Sequence, residues 1–318
     1  MEIFKTLNNK VTKYLHDDGS ETAIKHSFDK STQNGGEFSK ITNKFNVFIS
    51  NSVGCPVKCK FCYLTTKKIP YSYLSEYDIM NNVTEAVSHQ VEMFPELKNQ
   101  YMKVSWMGMG DSGLDFQKTT KTTLSIMNNV LSKGLCKGID NVDISTTFPL
   151  NIDPLTFEKD ILPFDLQLSK IPKNPLRSSE QYIRFFYSLH SSLNETRNKL
   201  IPYSKKIEEA VNELNDISYD KVKVIIHHMF LDGINDTTED INQLINLMTL
   251  KKMKNKQLRI LRYNKSDEAV YTESSNFDSI VSKLKDTVED LKVQVSPGED
   301  VKAACGQFLL KKFEKCDS

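Results

Sequence analysis

The chain has 318 residues, of which 39% are hydrophobic, so it can bury one large core or two smaller ones. Its 42 basic and 41 acidic residues leave a net charge of +1, whereas a dedicated nucleic-acid-binding protein usually carries a stronger basic bias. The sequence contains no run of about 18 apolar residues, so no membrane span is predicted. The segment MEIFKTLNNK lacks the apolar core of a signal peptide. We therefore expect a cytoplasmic protein with no membrane contact.

Residues 1–44 are polar and rich in Asn, Lys, Ser, Thr and Gly, which indicates a short, partly irregular N-terminal extension. From residue 45 to about residue 310, runs rich in β-branched and aromatic residues alternate with helical patterns. Six of these runs predict strands because polar or Gly positions bound them: 45–50, 102–106, 142–145, 183–189, 222–229 and 258–263. Residues 311–318 form a predicted C-terminal tail.

Amphipathic helices are predicted between and after these strands. Apolar residues recur at helical spacing in 79–91, 116–131, 207–214, 238–249 and 281–291. Thr237 and Asp240 resemble a capping box at the start of the fourth of these helices. Alternating strands and helices predict parallel β/α units, and hence an α/β fold: a partial (β/α)6 barrel of the TIM type. The site of such a barrel lies at the C-terminal ends of its strands.

Three of the six cysteines, Cys55, Cys59 and Cys62, fall within eight residues, directly after the first predicted strand. In a chain with no predicted secretion signal, such a group indicates metal binding before disulfides. Three thiolates can hold three irons of a 4Fe–4S cluster and leave the fourth iron open for the amino and carboxylate groups of S-adenosylmethionine (SAM). The alternatives are a loop without metal or a structural zinc ion, which normally takes four protein ligands, and no fourth ligand lies nearby.

The Cys-x3-Cys-x2-Cys spacing, with the aromatic Phe61 before the last cysteine, resembles the signature of the radical-SAM superfamily. Further segments make the resemblance closer: SVGC at 52–55, GMGD at 108–111, SLH at 188–190, MFLDGIND at 229–236 and AACGQ at 303–307, in this order. Together they resemble the RlmN/Cfr family of radical-SAM RNA adenine methyltransferases over about residues 45–310. AACGQ is the segment most specific to that family.

The resemblance implies a 4Fe–4S cluster on Cys55, Cys59 and Cys62 and a SAM pocket at the barrel mouth. The residues that match the family's pocket lie at the ends of predicted strands, and they are Gly110, Asp111, Ser145, Ser188, Leu189, His190 and Asn264. Asp111 stands where the family usually has Glu, so the charge is the same and its reach is shorter.

Cys305, within AACGQ, matches the family cysteine that takes a methyl group from SAM and passes it to an adenine carbon. An isolated cysteine is often only a small buried residue, so this role depends on the surrounding segment. The resemblance also implies ribosomal or transfer RNA as substrate. For a low-potential cluster we expect an electron donor such as a flavodoxin or ferredoxin.

The chain departs from the family pattern at several places. Phe48 lies seven residues before Cys55, where the family has its second catalytic cysteine, and phenylalanine offers no acid, base or nucleophile. Only about 44 residues precede the first predicted strand, where family members carry a helical RNA-contacting domain. His227 and His228 replace a Glu-Tyr pair. They alternate across a strand, so at most one can face the barrel interior, and we expect both to serve in packing.

These departures leave three hypotheses open. The first is a radical-SAM C-methyltransferase acting on a nucleobase carbon through Cys305. The second keeps the radical chemistry but changes the substrate to a small molecule, a peptide or another nucleic acid. The third is a protein that binds SAM and the cluster but has lost methyl turnover. Two other cysteines bear on the missing thiol: Cys136 is predicted at the opposite end of the barrel, whereas Cys316 lies near the chain end.

Overall fold

The computed structural model describes residues 1–6, 11–26, 43–177, 179–218, 220–249, 256–264 and 270–294. The strands in this part of the chain are β1 (Glu2–Lys5), β2 (Val11–Leu15), β3 (Glu21–His26), β4 (Lys44–Ile49), β5 (Ser52–Val53), β6 (Ser72–Tyr73), β7 (Tyr101–Trp106), β8 (Gly138–Thr146), β9 (Ile183–Ser188), β10 (Val222–Met229), β11 (Lys256–Leu261) and β12 (Leu291–Gln294). The helices are α1 (Tyr63–Thr66), α2 (Glu76–Met93), α3 (Phe116–Ser132), α4 (Leu162–Leu168), α5 (Asn194–Leu200), α6 (Ile207–Ile217), α7 (Thr238–Thr249) and α8 (Phe277–Thr287).

Ten strands form one sheet in the order β1-β2-β3-β4-β7-β8-β9-β10-β11-β12. From β4 to β12 every neighbouring pair is parallel. The six predicted strands are all present as β4 and β7 to β11, so the predicted α/β class with a parallel sheet is confirmed. β12 adds a seventh parallel strand that the sequence pattern does not predict. Within the described chain the sheet ends at β1 and β12 and does not close, which fits a partial barrel.

The inner face of the parallel strands carries charged and polar side chains. Asp143 on β8 accepts hydrogen bonds from the Arg184 Nε and Nη2 atoms at 2.6 and 2.7 Å, and it forms an ion pair with Lys103 at 2.7 Å. The Arg259 guanidinium on β11 lies 5.1 Å from the ring centroid of Phe186 on β9, across the intervening β10. This contact between strands that are not neighbours shows that both side chains lie on the same face of the sheet. The charged cluster therefore forms the floor beneath the C-terminal strand ends.

Helices cover the outer face and supply the core. Ile79, Val83 and Val87 of α2 are buried in one hydrophobic cluster with Ile126 and Met127 of α3. The start of α2 is fixed by a capping box in which the Ser75 hydroxyl accepts from the Asp78 N–H and the Asp78 carboxylate accepts from the Ser75 N–H. No helix in the described ranges is long and apolar enough to span a membrane.

The N-terminal region is more regular than its composition suggests. Strands β1, β2 and β3 form an antiparallel meander that continues the barrel sheet, since Ala23 of β3 pairs with Phe48 of β4. Lys13 and Glu21 form an ion pair of 3.1 Å between β2 and β3, and both side chains are buried. Within the predicted N-terminal extension, the described residues thus form three regular strands, and the polar side chains of β2 and β3 are mostly buried.

Candidate active site

A cavity of about 170 Å³ opens at the C-terminal ends of the parallel strands. Its lining comes from every strand end between β4 and β11: Cys55, Val57, Cys59, Phe61, Cys62, Leu64, Trp106, Met107, Gly108, Gly110, Asp111, Ser145, Thr147, Ser188, His190, His227 and Leu261. A concave pocket at this end of a barrel is where catalytic and cofactor-binding groups normally gather. The three clustered cysteines and five of the seven residues assigned to the SAM pocket share this one cavity.

The cysteine loop after β4 is held in a specific conformation. Gly54 has φ of +62°, and a Cβ there would lie 2.6 Å from the Pro70 carbonyl oxygen, so the turn before Cys55 requires glycine. At the other end, Cys62 precedes α1 and its carbonyl accepts from the Thr65 N–H at 3.0 Å. These constraints direct Cys55, Cys59 and Cys62 to a single cavity.

The middle of the loop is anchored to the barrel wall. The Lys60 N–H donates to the Leu200 carbonyl oxygen at the end of α5, at 2.8 Å. Val57 is buried in a small hydrophobic cluster with Leu200, Ile201 and Met229, and Cys59 and Phe61 pack against this cluster. The loop is therefore bound to α5 and to the end of β10 by both packing and a backbone hydrogen bond.

The donor set at the cavity fits an iron–sulfur cluster. Cys55, Cys59 and Cys62 are free thiols, and burial raises the pKa of each above the usual value; for Cys55 and Cys59, neighbouring negative charges raise it further. A raised pKa favours the protonated thiol, but a bound cation favours the thiolate, because the thiolate is the form that binds metal. Across the described ranges no three His, Cys, Asp or Glu side chains surround a single ion. A cubane instead takes each thiolate on a different iron, which suits three cysteines spread round one cavity.

Five of the seven residues expected in the SAM pocket line the cavity: Gly110, Asp111, Ser145, Ser188 and His190. The other two, Leu189 and Asn264, are not among the described residues that line it. Leu189 is fully buried, and its N–H donates to the His227 carbonyl oxygen at 3.0 Å, so it joins β9 to β10. Asn264 follows the end of β11 by three residues.

Asp111 is buried and holds three loops together. Its carboxylate accepts hydrogen bonds from the Gly113 N–H at 2.8 Å and from the N–H and hydroxyl of Thr147 at 2.7 Å each. Its backbone carbonyl accepts from the Asn51 side-chain amide at 2.7 Å. Burial raises the pKa of Asp111, although these hydrogen bonds favour the charged form. The loops after β4, β7 and β8 therefore meet at this residue.

The histidines divide between the cavity and the core. His190 has φ of +54° and lines the cavity, where its ring makes an edge contact with Phe61 at a centroid distance of 4.9 Å. His227 also lines the cavity, whereas His228 points away and packs on Phe230 at 4.6 Å. The expectation that at most one of this pair faces the barrel interior is confirmed. Burial lowers the pKa of His227 and of His228 to about 3, so both rings are neutral near pH 7.

Phe48 stands where the RlmN/Cfr family has its second catalytic cysteine. Phe48 is half-buried on β4, paired with Ala23 and Ser105, and is not among the described residues of the cavity lining. Cys136 is buried just before β8, at the N-terminal end of the strands and opposite the cavity. Cys305 and Cys316 lie outside the described residues.

Two further residues near the cavity are absent from the sequence-based site. Thr147 lines the cavity and binds Asp111. Arg197 on α5 is 2% exposed, and its Nη2 atom donates to the carbonyl oxygens of Thr147 and Ser188 at 2.8 and 3.2 Å. A lone arginine in the polar segment NETRNKL gives no signal of burial, so only the fold reveals its position.

The sequence matches no family model. The dual-specificity RNA methyltransferase RlmN of Psychrobacter arcticus is 26% identical over 299 residues, which are 85% of this chain and 64% of that protein. The ribosomal RNA large subunit methyltransferase Cfr of Staphylococcus aureus is 25% identical over 313 residues, 93% of this chain and 79% of that protein. The chain thus spans slightly less than two thirds of the RlmN relative and more of Cfr.

Among solved structures, a radical SAM methyltransferase from Sphaerobacter thermophilus matches with a TM-score of 0.66 and 20% identity, over 96% of this chain and 80% of that one. At this identity the likeness concerns the fold. It agrees with the parallel strands and with the cavity at their C-terminal ends. Along most of its length the chain is similar in sequence to the RlmN and Cfr methyltransferases, and its fold is similar to that of a radical SAM methyltransferase.

Proposed function

We propose that the chain is a radical-SAM C-methyltransferase whose target is a nucleobase carbon, adenine in RNA by analogy with its relatives. The observation that carries this proposal is the meeting of Cys55, Cys59 and Cys62 with Gly110, Asp111, Ser145, Ser188 and His190 round one cavity. When bound there, the cluster supplies the electron that cleaves SAM, and SAM supplies the methyl group.

The protein's own groups have separable roles in this proposal. The three cysteines hold the cluster at the cavity wall, and Phe61 shields it from water beside His190. Asp111, Ser145 and Ser188 offer the polar atoms that orient SAM. Gly108 and Gly110 let the loop after β7 pack closely against residues 49–52, which precede the cysteine loop. Cys305 is the methyl carrier. A cytoplasmic location and a flavodoxin or ferredoxin as electron donor belong to the same proposal.

RNA from cells tests the substrate. Total RNA is digested to nucleosides from a host that expresses the intact chain and from one that expresses the Cys55→Ala variant. We expect a methylated adenosine that only the intact chain produces, measured by liquid chromatography and mass spectrometry. Release of 5′-deoxyadenosine without any new nucleoside would move the activity to a different substrate.

Phe48 supports a second candidate function, a protein that binds SAM and the cluster without completing methyl transfer. The side chain at this position has no ionisable group, and Cys136 lies at the wrong end of the barrel. Such a protein would bind SAM at the same cavity and, because it stops at the covalent adduct, form at most one 5′-deoxyadenosine per chain under reducing conditions. The amount of 5′-deoxyadenosine formed per chain therefore separates the two candidates.

A further inference from the structure

Arg197 is a buried cation with no acidic partner among the described residues. Its guanidinium donates to the Ser204 hydroxyl and to the carbonyl oxygens of Thr147 and Ser188, all of them neutral acceptors. Its Nε atom is buried without a hydrogen-bond partner in the described chain. The Tyr187 ring lies 5.2 Å from the guanidinium carbon and adds a cation–π contact with another neutral side chain. Buried charges in proteins are normally paired, because an unpaired one costs several kcal/mol.

The acidic residues that share a second cavity with Arg197 are engaged elsewhere. This cavity is lined by Arg197 together with Glu195 and Glu209. Glu195 is exposed and forms an ion pair with Lys199 at 2.8 Å. Glu209 accepts from the Lys206 N–H and caps the next helix. Neither acid pairs with Arg197, whose guanidinium also contacts the carbonyl oxygens of two residues at the barrel mouth.

Arg197 lies on the helix whose end is hydrogen-bonded to the cysteine loop. At the end of this helix, the Leu200 carbonyl oxygen accepts a hydrogen bond from the Lys60 N–H. Lys60 lies between Cys59 and Cys62 in the sequence. Two of the hydrogen-bond acceptors of Arg197, Thr147 and Ser188, belong to residues that line the cavity with Cys59. The guanidinium thus lies against the wall of the cavity that the three cysteines share, where a fixed positive charge can stabilise negative charge.

We propose that Arg197 is a positioning residue that supplies the buried counter-charge for the anionic iron–sulfur cluster on Cys55, Cys59 and Cys62. This inference rests on the proposed function, because it assumes that a cluster is bound. Three thiolates make the assembled cluster a net anion, and its reduction adds one more negative charge. A fixed cation stabilises the reduced form more than the oxidised form and so raises the reduction potential.

The test measures the cluster's midpoint potential by electron paramagnetic resonance during an anaerobic titration without SAM. Arg197→Gln removes the charge and keeps an amide donor, whereas Arg197→Lys keeps the charge. Leu200→Ala, on the same helix, loosens the packing on Val57 and leaves the charge unchanged. We expect Arg197→Gln to shift the reduction equilibrium about tenfold toward the oxidised form, about 59 mV for one electron. The Lys and Leu200 variants should stay near the wild-type potential.

Three results overturn the proposal: an unchanged potential in Arg197→Gln, an equal shift in Arg197→Lys, or an equal shift in Leu200→Ala. A loss of SAM affinity at unchanged potential would assign the charge to the SAM carboxylate instead. A wild-type protein that assembles no cluster would refute the proposed function itself.

Thermal unfolding of the metal-free protein provides a second readout if Arg197→Gln fails to assemble a cluster. Without the cluster the unpaired cation is a cost, so metal-free Arg197→Gln should be at least as stable as metal-free wild type. Reconstitution should then stabilise wild type more than the variant, since a group that binds only the folded state adds its binding energy. A metal-free variant that is much less stable than wild type would show that Arg197 only braces the loops.

Discussion

Asp111 and Thr147 are joined by two hydrogen bonds, since one carboxylate oxygen accepts both the peptide N–H and the hydroxyl of Thr147 at 2.7 Å. Asp111 therefore both holds the loops together and faces the cavity. Asp111→Ala should lower the free energy of unfolding by about 1–3 kcal/mol because buried donors lose their acceptor. It should also weaken SAM binding at least tenfold, measured by calorimetry on reconstituted protein.

Thr147→Val is the matched control, because it removes one of the two hydrogen bonds and keeps the carboxylate. We expect a loss of about 0.5–1.5 kcal/mol in stability with little change in SAM affinity. If Thr147→Val weakens SAM binding as much as Asp111→Ala does, Asp111 acts only through the loop structure.

Gly110 is required by space as well as by backbone conformation. It has φ of +91°, and a Cβ there would lie 1.8 Å from the Asn51 Oδ1 atom and 2.4 Å from the Ser52 Oγ atom. Gly110→Ala should displace the loop before Cys55, so that reconstituted protein loses both iron and SAM binding. Gly134 has φ of +64° with nothing within 4 Å of the added Cβ, so Gly134→Ala should cost only about 1–2 kcal/mol of backbone strain. Full iron content in Gly110→Ala would contradict this view.

His228 predicts a pH dependence of stability. Burial lowers its pKa from 6.5 to about 3, and neither ring nitrogen has a hydrogen-bond partner in the described chain. Between these pH values the unfolded chain binds one more proton, so this residue makes stability fall as the pH drops from about 6.5 toward 3. In urea unfolding of metal-free protein, His228→Leu should reduce that slope by up to about 1.4 kcal/mol per pH unit. An identical slope in both proteins would show that His228 is not buried neutral.

Phe48 is the residue that decides turnover in the second candidate function. If release of the product needs a thiol at this position, a covalent adduct on Cys305 should accumulate in cells, and Phe48→Cys should free it and raise the methylated product. Phe48→Ala, which opens space without a thiol, is the control. Mass spectrometry of the purified protein measures the adduct. Full turnover by the unmodified chain with no adduct would show that another group performs this step.

The parallel strands could be predicted because each one is a run of β-branched or aromatic residues, as in KVKVIIHHM before the Leu231 turn. β12 could not, because the helical spacing of 281–291 continues through Val288 to Leu291, whereas α8 ends at Thr287. Thr237 caps α7 as its spacing suggests, but the Asp240 carboxylate binds Ser191 and Ser192 instead of closing the capping box. Tertiary partners decide such cases, and no local pattern contains them.

The same limit applies to the site. The cysteine spacing predicts a metal site and the family resemblance predicts a SAM-binding role for Gly110-Asp111, and the structure places both round one cavity. Arg197 could not be predicted because its burial depends on strand ends that are distant in sequence, at Thr147 and Ser188. The burial of Lys13 and Glu21 could not be predicted either. Charged residues are normally exposed, and these two are buried because they form an ion pair between β2 and β3.

The measurement that tests the central claim most directly is anaerobic reconstitution followed by iron analysis and an assay for 5′-deoxyadenosine. The account predicts about four irons per chain, as a cubane requires, and SAM cleavage under reducing conditions. Cys55→Ala, Cys59→Ala and Cys62→Ala should each abolish cleavage, whereas Cys136→Ala, at the opposite end of the barrel, should keep both iron and activity. A wild-type protein that binds one zinc ion and no iron would contradict the account.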